Sequence, residues 1–312
     1  MKHEFYYTSR DSVTKIHAIE WIPEGEVKGI LQICHGMVEY IDRYDDFAKF
    51  MSGHGYYVVG HDHLGHGKSI QTEDDLGYFD RRKGNQYVIG DIYHLQEMTR
   101  KKYPGVPYFM LGHSMGSFLL RQYLTMYAGG ISGAVIMGTG YQGMLTLCAG
   151  RMICRIIAAF KGWKYRSKFV DNLSFGGFNK RFEPGETSKE WITSDKEKRN
   201  EYVKDPLCSY TFTLGAYYQM FTGMKVLVKA GSMERIPKTL PVLFTAGEDD
   251  PVGAFGKNVT RVYEKYKNAG IKDVSIHLYK GDRHEILNEV DRKNVYQDIL
   301  AWIEERNVVV AE

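Results

Sequence analysis

Short, continuously apolar runs alternate with longer stretches of helical periodicity along most of this 312-residue chain, and that rhythm constrains the fold more than any other feature. The runs GILQICHG, YYVVGHD, PYFML, ISGAVIMG and PVLFTAGEDD are apolar at successive positions, as strands covered on both faces must be. Between them lie RYDDFAKFMSGHG, with Phe47, Phe50 and Met51 at helical spacing, and YVIGDIYHLQEMTRKKYP, whose Val88, Ile92, Leu95 and Met98 form one stripe stopped by Pro104. SFLLRQYLTMY, KNVTRVYEKYKNAG and VYQDILAWIEER read as further helices, and VSIHLYKG as a last strand. Two aromatic-rich segments, HEFYYTS and KIHAIEWIP, open the chain as a hairpin turning at SRDS. Alternation of this kind predicts an α/β fold with a mostly parallel central sheet and helices on both faces, joined by right-handed crossovers.

The rhythm breaks after Gly140 and resumes near Pro241. Charge marks the same interval. From Tyr141 to Arg235 there are 16 Lys and Arg against 9 Asp and Glu, a net +7 within a chain of net +3. The reading is therefore one core in two parts, residues 1–139 and 236–312, interrupted by a separate unit at 140–235. The small overall charge gives no reason to expect a nucleic-acid partner. With 43% apolar residues the chain can bury a sizeable core, yet it has no uninterrupted apolar segment near the ~20 residues of a membrane span and no signal-like start. A cytoplasmic protein is expected. Cys34, Cys148, Cys154 and Cys208 show no metal-ligand or disulfide spacing and are expected as free thiols.

Chemistry concentrates in GHSMG, residues 112–116, directly after one predicted strand and directly before one predicted helix. The sharp turn of a G-x-S-x-G elbow forces an unusual backbone on its serine, and small residues on either side let strand and helix approach. Ser114 would then stand above the sheet edge. A hydroxyl needs a base to become a nucleophile, and the chain order serine, acid, histidine is met by Asp250 in GEDDPV and His284 in GDRHEILNE. Each follows a predicted strand, so each emerges at the edge where Ser114 does. His284 would accept and return the proton while Asp250 fixes its tautomer. Spacing alone does not separate Asp250 from Glu248 and Asp249. Of the other histidines, His35, His61, His63, His66 and His113 read as packing or supporting groups, and His277 lies inside a strand. Two backbone N–H groups are needed for the developing oxyanion, and Met115, after the nucleophile, and Met37, in the CHGMVEY turn, supply candidates.

Taken together, HGMVEYIDRY, GHDHLGHGKS, DDLGYF, GHSMG, GEDDPV and GDRHEILNE resemble the α/β-hydrolase superfamily, in its lysophospholipase, monoacylglycerol lipase and serine-aminopeptidase-like branch. The resemblance runs from about residue 30 to 290. It implies Ser114, Asp250 and His284 as nucleophile, acid and base, and it favours Asp250 among the three neighbouring acids. It also implies Met37 and Met115 at the oxyanion-hole positions, no cofactor or metal, and a helical cap at residues 140–235. Tyr40 departs from the family, which often has His there, and Ser117 replaces a common glycine.

The expected function is hydrolysis of a small-molecule carboxylic ester, a monoacylglycerol or lysophospholipid, through an acyl-enzyme on Ser114. An aminopeptidase on the same fold would need a cap carboxylate to hold the substrate ammonium. Glu183, Glu186 and Glu190 are the candidates, but they lie in a polar stretch. Thioesterase and acyltransferase chemistry are the other rivals, and a non-catalytic binding protein is disfavoured because all three triad residues are present. Residues 141–170 carry six Lys and Arg, no acid, and Met144, Leu145, Leu147, Met152, Ile153, Ile156 and Ile157, which makes this segment either a core-packing face or a contact with a membrane or micelle surface.

Overall fold

The computed structural model of the protein describes residues 1–307; the last five positions of the expected second core part lie outside the described residues. Eight strands make one sheet: β1 (Lys2–Thr8), β2 (Lys15–Trp21), β3 (Gly29–Cys34), β4 (Tyr56–His61), β5 (Tyr108–His113), β6 (Gly133–Met137), β7 (Val242–Gly247) and β8 (Val274–Tyr279). Their order is β1-β2-β4-β3-β5-β6-β7-β8. β1 and β2 form the expected antiparallel hairpin, β2 also runs antiparallel to β4, and every other pairing is parallel. The continuously apolar runs became the central strands: every residue of β3 to β7 is buried, whereas the edge strands β1 and β8 are largely not.

Helices cover both faces. On one side α1 (Asp45–Gly53) and α9 (Arg292–Glu304) place Phe47, Met51, Ile299 and Ile303 against Leu31, Ile33, Phe109 and Leu111. On the other, α2 (Gly84–Lys102), α3 (Met115–Tyr127) and α8 (Lys257–Asn268) place Ile92, Leu120 and Val262 against Ile30, Met110 and Phe244. Neighbouring strand residues therefore point into different layers, as the two-residue period requires.

Between β6 and β7 the chain leaves the sheet through α4 (Met144–Lys161), α5 (Lys168–Phe175), α6 (Lys196–Lys204) and α7 (Leu214–Val228). α4 buries Leu147, Cys154 and Ala158, and the opposite stripe of Leu145, Met152, Ile156 and Phe160 faces solvent. This helix is apolar on two sides. One matches a core-packing face, and the other has no covering residue among those described.

Strand order fixes where a site can form. From β3 the chain moves outward to β4, then returns past β3 to β5, so the winding direction reverses between β3 and β5. At such a point the loops leaving the two strands diverge and open a crevice at their carboxyl ends. Gly36 and Met37 follow β3 there, and Ser114 follows β5.

Candidate active site

Ser114 sits between β5 and α3 with φ 52 and ψ −118, a backbone conformation that L-residues avoid. Its neighbours hold it there. The Ser114 N–H donates to Met137 O at 3.0 Å, and the Ser117 hydroxyl donates to Ser114 O at 2.6 Å. Ser117, where a third glycine is common, thus adds a bond to the elbow. The flanking glycines are required by space: a Cβ on Gly116 would collide with the Cys34 carbonyl, and one on Gly112 would meet the carbonyl of Gly116.

Two loops at the same sheet edge bring His284 and Asp250 together. The His284 Nδ1 is 3.0 Å from Asp250 Oδ2, with both side chains buried. The second carboxylate oxygen of Asp250 accepts the Val252 N–H at 2.8 Å, so the acid is oriented from both ends. Its neighbours are employed elsewhere: Asp249 pairs with Arg181 at 2.8 Å, and Glu248 is exposed. The His284 ring packs between Trp191 and His113, at centroid distances of 5.2 and 4.7 Å. Gly138, φ +59, leaves room for that stack, because a Cβ there would lie 3.2 Å from both histidine rings.

The turn after β3 lies against the serine. A Cβ on Gly36 would be 3.0 Å from Ser114 Cβ, so only glycine lets the chain of Met37 approach the Ser114 turn this closely. Met115 is the first residue of α3, where a helical N–H has no intrahelical partner. The turn is held by Glu39, whose carboxylate accepts from the Gly36 N–H at 2.5 Å, the Tyr44 hydroxyl at 3.0 Å and Arg43 at 2.9 Å. It also meets His113 Nδ1 at 3.0 Å. The other nitrogen of His113 lies 3.2 Å from the His284 carbonyl, which only accepts. The Tyr44 hydroxyl also lies 3.0 Å from Nδ1. Burial opposes a charge on His113, but the Glu39 bond outweighs it and raises the His113 pKa. Burial likewise pushes the Glu39 pKa up, and His113 with Arg43 beside it holds it well below the usual carboxylate range.

Ser114, His284, Met37 and Met115 all line one cavity of about 390 Å³. Phe118, Leu147, Ile153, Met220, Phe221 and Met224 form its apolar end, supplied by α3, α4 and α7. Glu183, Glu186 and Glu190 are not among its lining residues: Glu190 is buried on Arg199 and Arg283, and Glu186 pairs with Lys196 and Arg199.

Residues 25–291 match the hydrolase family described as "Serine aminopeptidase, S33". The chain belongs to this family. Within the α/β-hydrolase superfamily it is similar to the human monoglyceride lipase, 26% identical over 92% of this chain and 86% of that one. It is also similar to a monoglyceride lipase homolog of monkeypox virus, 25% identical over 92% and 94% of the two chains. Among solved structures, a thermostable carboxyl esterase of Bacillus coagulans in complex with glycerol superimposes with a TM-score of 0.91 at 27% identity, covering 98% of this chain and 99% of that one.

In this α/β-hydrolase the sequence left several contributors to the site without a role. Glu39 lies in the HGMVEY motif, and Arg43 a turn later grips Glu285 through two 2.7 Å bonds, next to His284. Trp191, whose carbonyl accepts the His284 N–H at 3.3 Å, comes from the inserted segment, where no motif marks it.

Proposed function

We propose that this α/β-hydrolase cleaves the ester of a monoacylglycerol or related monoacyl lipid through an acyl-enzyme on Ser114. Its class of reaction is carboxylic-ester hydrolysis by a serine. One observation carries the reading: His284, paired with Asp250, lines the same cavity as a serine held at positive φ. In this mechanism Asp250 keeps the proton on Nδ1, leaving Nε2 of His284 to take the Ser114 proton as Oγ attacks the carbonyl carbon. The Met37 and Met115 N–H groups receive the oxyanion. Collapse of the tetrahedral species expels the alcohol, which takes the proton from His284. Water, deprotonated by the same imidazole, then releases the fatty acid and restores Ser114.

Residues 140–235 act as a cap over this chemistry, on core parts 1–139 and 236–312. The apolar end of the cavity suits an acyl chain, and its methionines adapt to chain shape. The solvent-facing stripe of α4 is the surface through which the cap meets a lipid aggregate. Among the described residues no helix is long and apolar enough to cross a membrane. Free thiols at Cys34, Cys148, Cys154 and Cys208 fit a cytoplasmic setting.

The decisive experiment is fluorophosphonate labelling with steady-state hydrolysis of monoacylglycerols. The expected result is an adduct in the wild type and none in Ser114→Ala, with Ser114→Ala and His284→Ala each losing roughly 10³-fold or more in kcat and the double variant little worse. Asp250→Asn should be crippled and Asp249→Asn active. Labelling that survives Ser114→Ala, or faster turnover of amino-acid anilides than of esters, overturns the reading.

A further inference from the structure

Backbone pairing sets a tryptophan beside the proposed base. The His284 N–H donates to the Trp191 carbonyl at 3.3 Å and the Glu285 N–H to the Ile192 carbonyl at 2.7 Å, so residues 191–192 of the inserted segment run in register with residues 284–285. The Arg283 guanidinium also donates to the Glu190 carbonyl. This register brings the half-buried Trp191 side chain to the cavity wall, where its ring centre lies 5.2 Å from that of His284 at an interplanar angle of 43°. Two more rings pack on the same indole: Phe178 edge-on at 5.2 Å and 74°, and Phe175 of α5 nearly parallel at 6.5 Å and 7°.

An aromatic ring attracts a cation within about 6 Å of its centroid, and indole does so most strongly. The His284 imidazole is within that range. In the proposed reaction it is neutral before attack, becomes an imidazolium as Nε2 takes the Ser114 proton, and is neutral again once that proton has passed to the departing alcohol. An attraction that exists only while the charge exists lowers the barrier, whereas one present throughout leaves it unchanged. The Lys189 ammonium, 5.9 Å from the same ring, is of the second kind, since the reaction does not alter its charge. The other neighbour of the His284 ring, His113 at 4.7 Å, offers no such attraction, because Glu39 outweighs its burial and raises its pKa, favouring the same sign of charge.

We infer that Trp191 is a positioning residue whose indole packs on the His284 ring and stabilises the imidazolium formed when Ser114 attacks. The inference rests on the serine-hydrolase reading and adds a part to it: Asp250 meets the charge at Nδ1, and Trp191 meets it through its π-system. The bond to the His284 N–H belongs to the Trp191 backbone and survives replacement of the side chain, so the two contributions of this residue separate.

The test replaces Trp191 alone, in the full chain, with mono-, di- and trifluorinated tryptophan, because fluorine withdraws charge from the ring with little change of shape. The substrate is a monoacylglycerol held below its aggregation threshold, so that surface binding plays no part. kcat/KM should fall stepwise with fluorine number, about fivefold in all, through kcat and with KM changed less than about twofold. Trp191→Leu should lose about tenfold, and Trp191→Phe should retain more activity than that. The same fluorinated series at Trp163, whose ring packs on Tyr218 elsewhere in the inserted segment, should leave kcat/KM unchanged. A rate independent of fluorine number at position 191 overturns the inference and leaves the indole as packing alone. An equal fluorine effect at Trp163 overturns it too. A wild type that turns over no ester removes the serine-hydrolase reading itself, a result distinct from all the others.

Discussion

The hydroxyl of Tyr202, on α6 of the inserted segment, donates to the carbonyl of Val38 at 3.1 Å and so ties that segment to the turn carrying the Met37 N–H. Val38 is held at φ 57, a region costly for a β-branched residue, so the turn needs outside support to keep its shape. The Tyr202 ring also lies 4.8 Å beneath the Arg43 guanidinium, which grips Glu285 beside the proposed base. Removing the hydroxyl should misalign the proposed oxyanion donor without altering the cavity's apolar end. Tyr202→Phe is therefore expected to lower kcat on a soluble 4-nitrophenyl ester by about tenfold with KM changed less than about twofold. An unchanged kcat would mean that Glu39 alone holds the turn.

Much of this arrangement is legible in the sequence because strands buried on both faces have no polar alternation to disguise them, as GILQIC, YYVVGH and VLFTAG show. The elbow is legible for a related reason: its glycines are demanded by backbone contacts that any sequence making this turn must satisfy. Spacing could not choose among Glu248, Asp249 and Asp250, since the choice depends on which carboxylate faces a histidine 34 residues away. The inserted segment was the least readable. Trp191 and Tyr202 gain their roles only by packing against the core, and nothing local in SKEWITS or EYVKDP announces it. α4 was ambiguous for a physical reason, because a helix apolar on two opposite sides has no single stripe to read.

The solvent-facing side of α4 can be tested apart from the chemistry. Leu145 is 87% exposed and Phe160 84%, with Met152 and Ile156 on the same stripe. Apolar groups so placed gain by entering a lipid boundary layer, and Arg155, also exposed on α4, adds attraction to anionic headgroups. Arg151 is unsuitable for a charge test, since it bonds the Tyr218 hydroxyl at 2.6 Å and stacks on that ring. For the double variant Leu145→Glu and Phe160→Glu, the ratio of activity on monoacylglycerol in anionic vesicles to activity on a soluble ester should fall roughly tenfold, with co-sedimentation on vesicles falling in parallel. A ratio that stays constant would assign the stripe no part in lipid contact.

Acid should act on the histidine cluster behind the site. His61 and His66 are fully buried, and burial pushes the pKa of each down to about 3; His35 and His63 are lowered for the same first reason. Unfolded, each would take a proton near 6.5. The unfolded chain thus binds more protons once pH drops below about 6.5, and the stability these groups contribute while neutral is lost progressively as pH falls toward 3. Asp91 and Asp282 work in the opposite sense, because burial raises each to about 7 and the native state then holds the extra proton. A single stability–pH curve mixes the two. Comparing the wild type with His66→Gln isolates one group, since the glutamine fills similar space without titrating and Nε2 of His66 has no partner to lose. Between pH 7 and pH 5 the wild type should lose roughly 1–2 kcal/mol more unfolding free energy than the variant, measured by urea denaturation at each pH. Equal losses in the two proteins would show that His66 is protonated in the native state, against the burial that surrounds it.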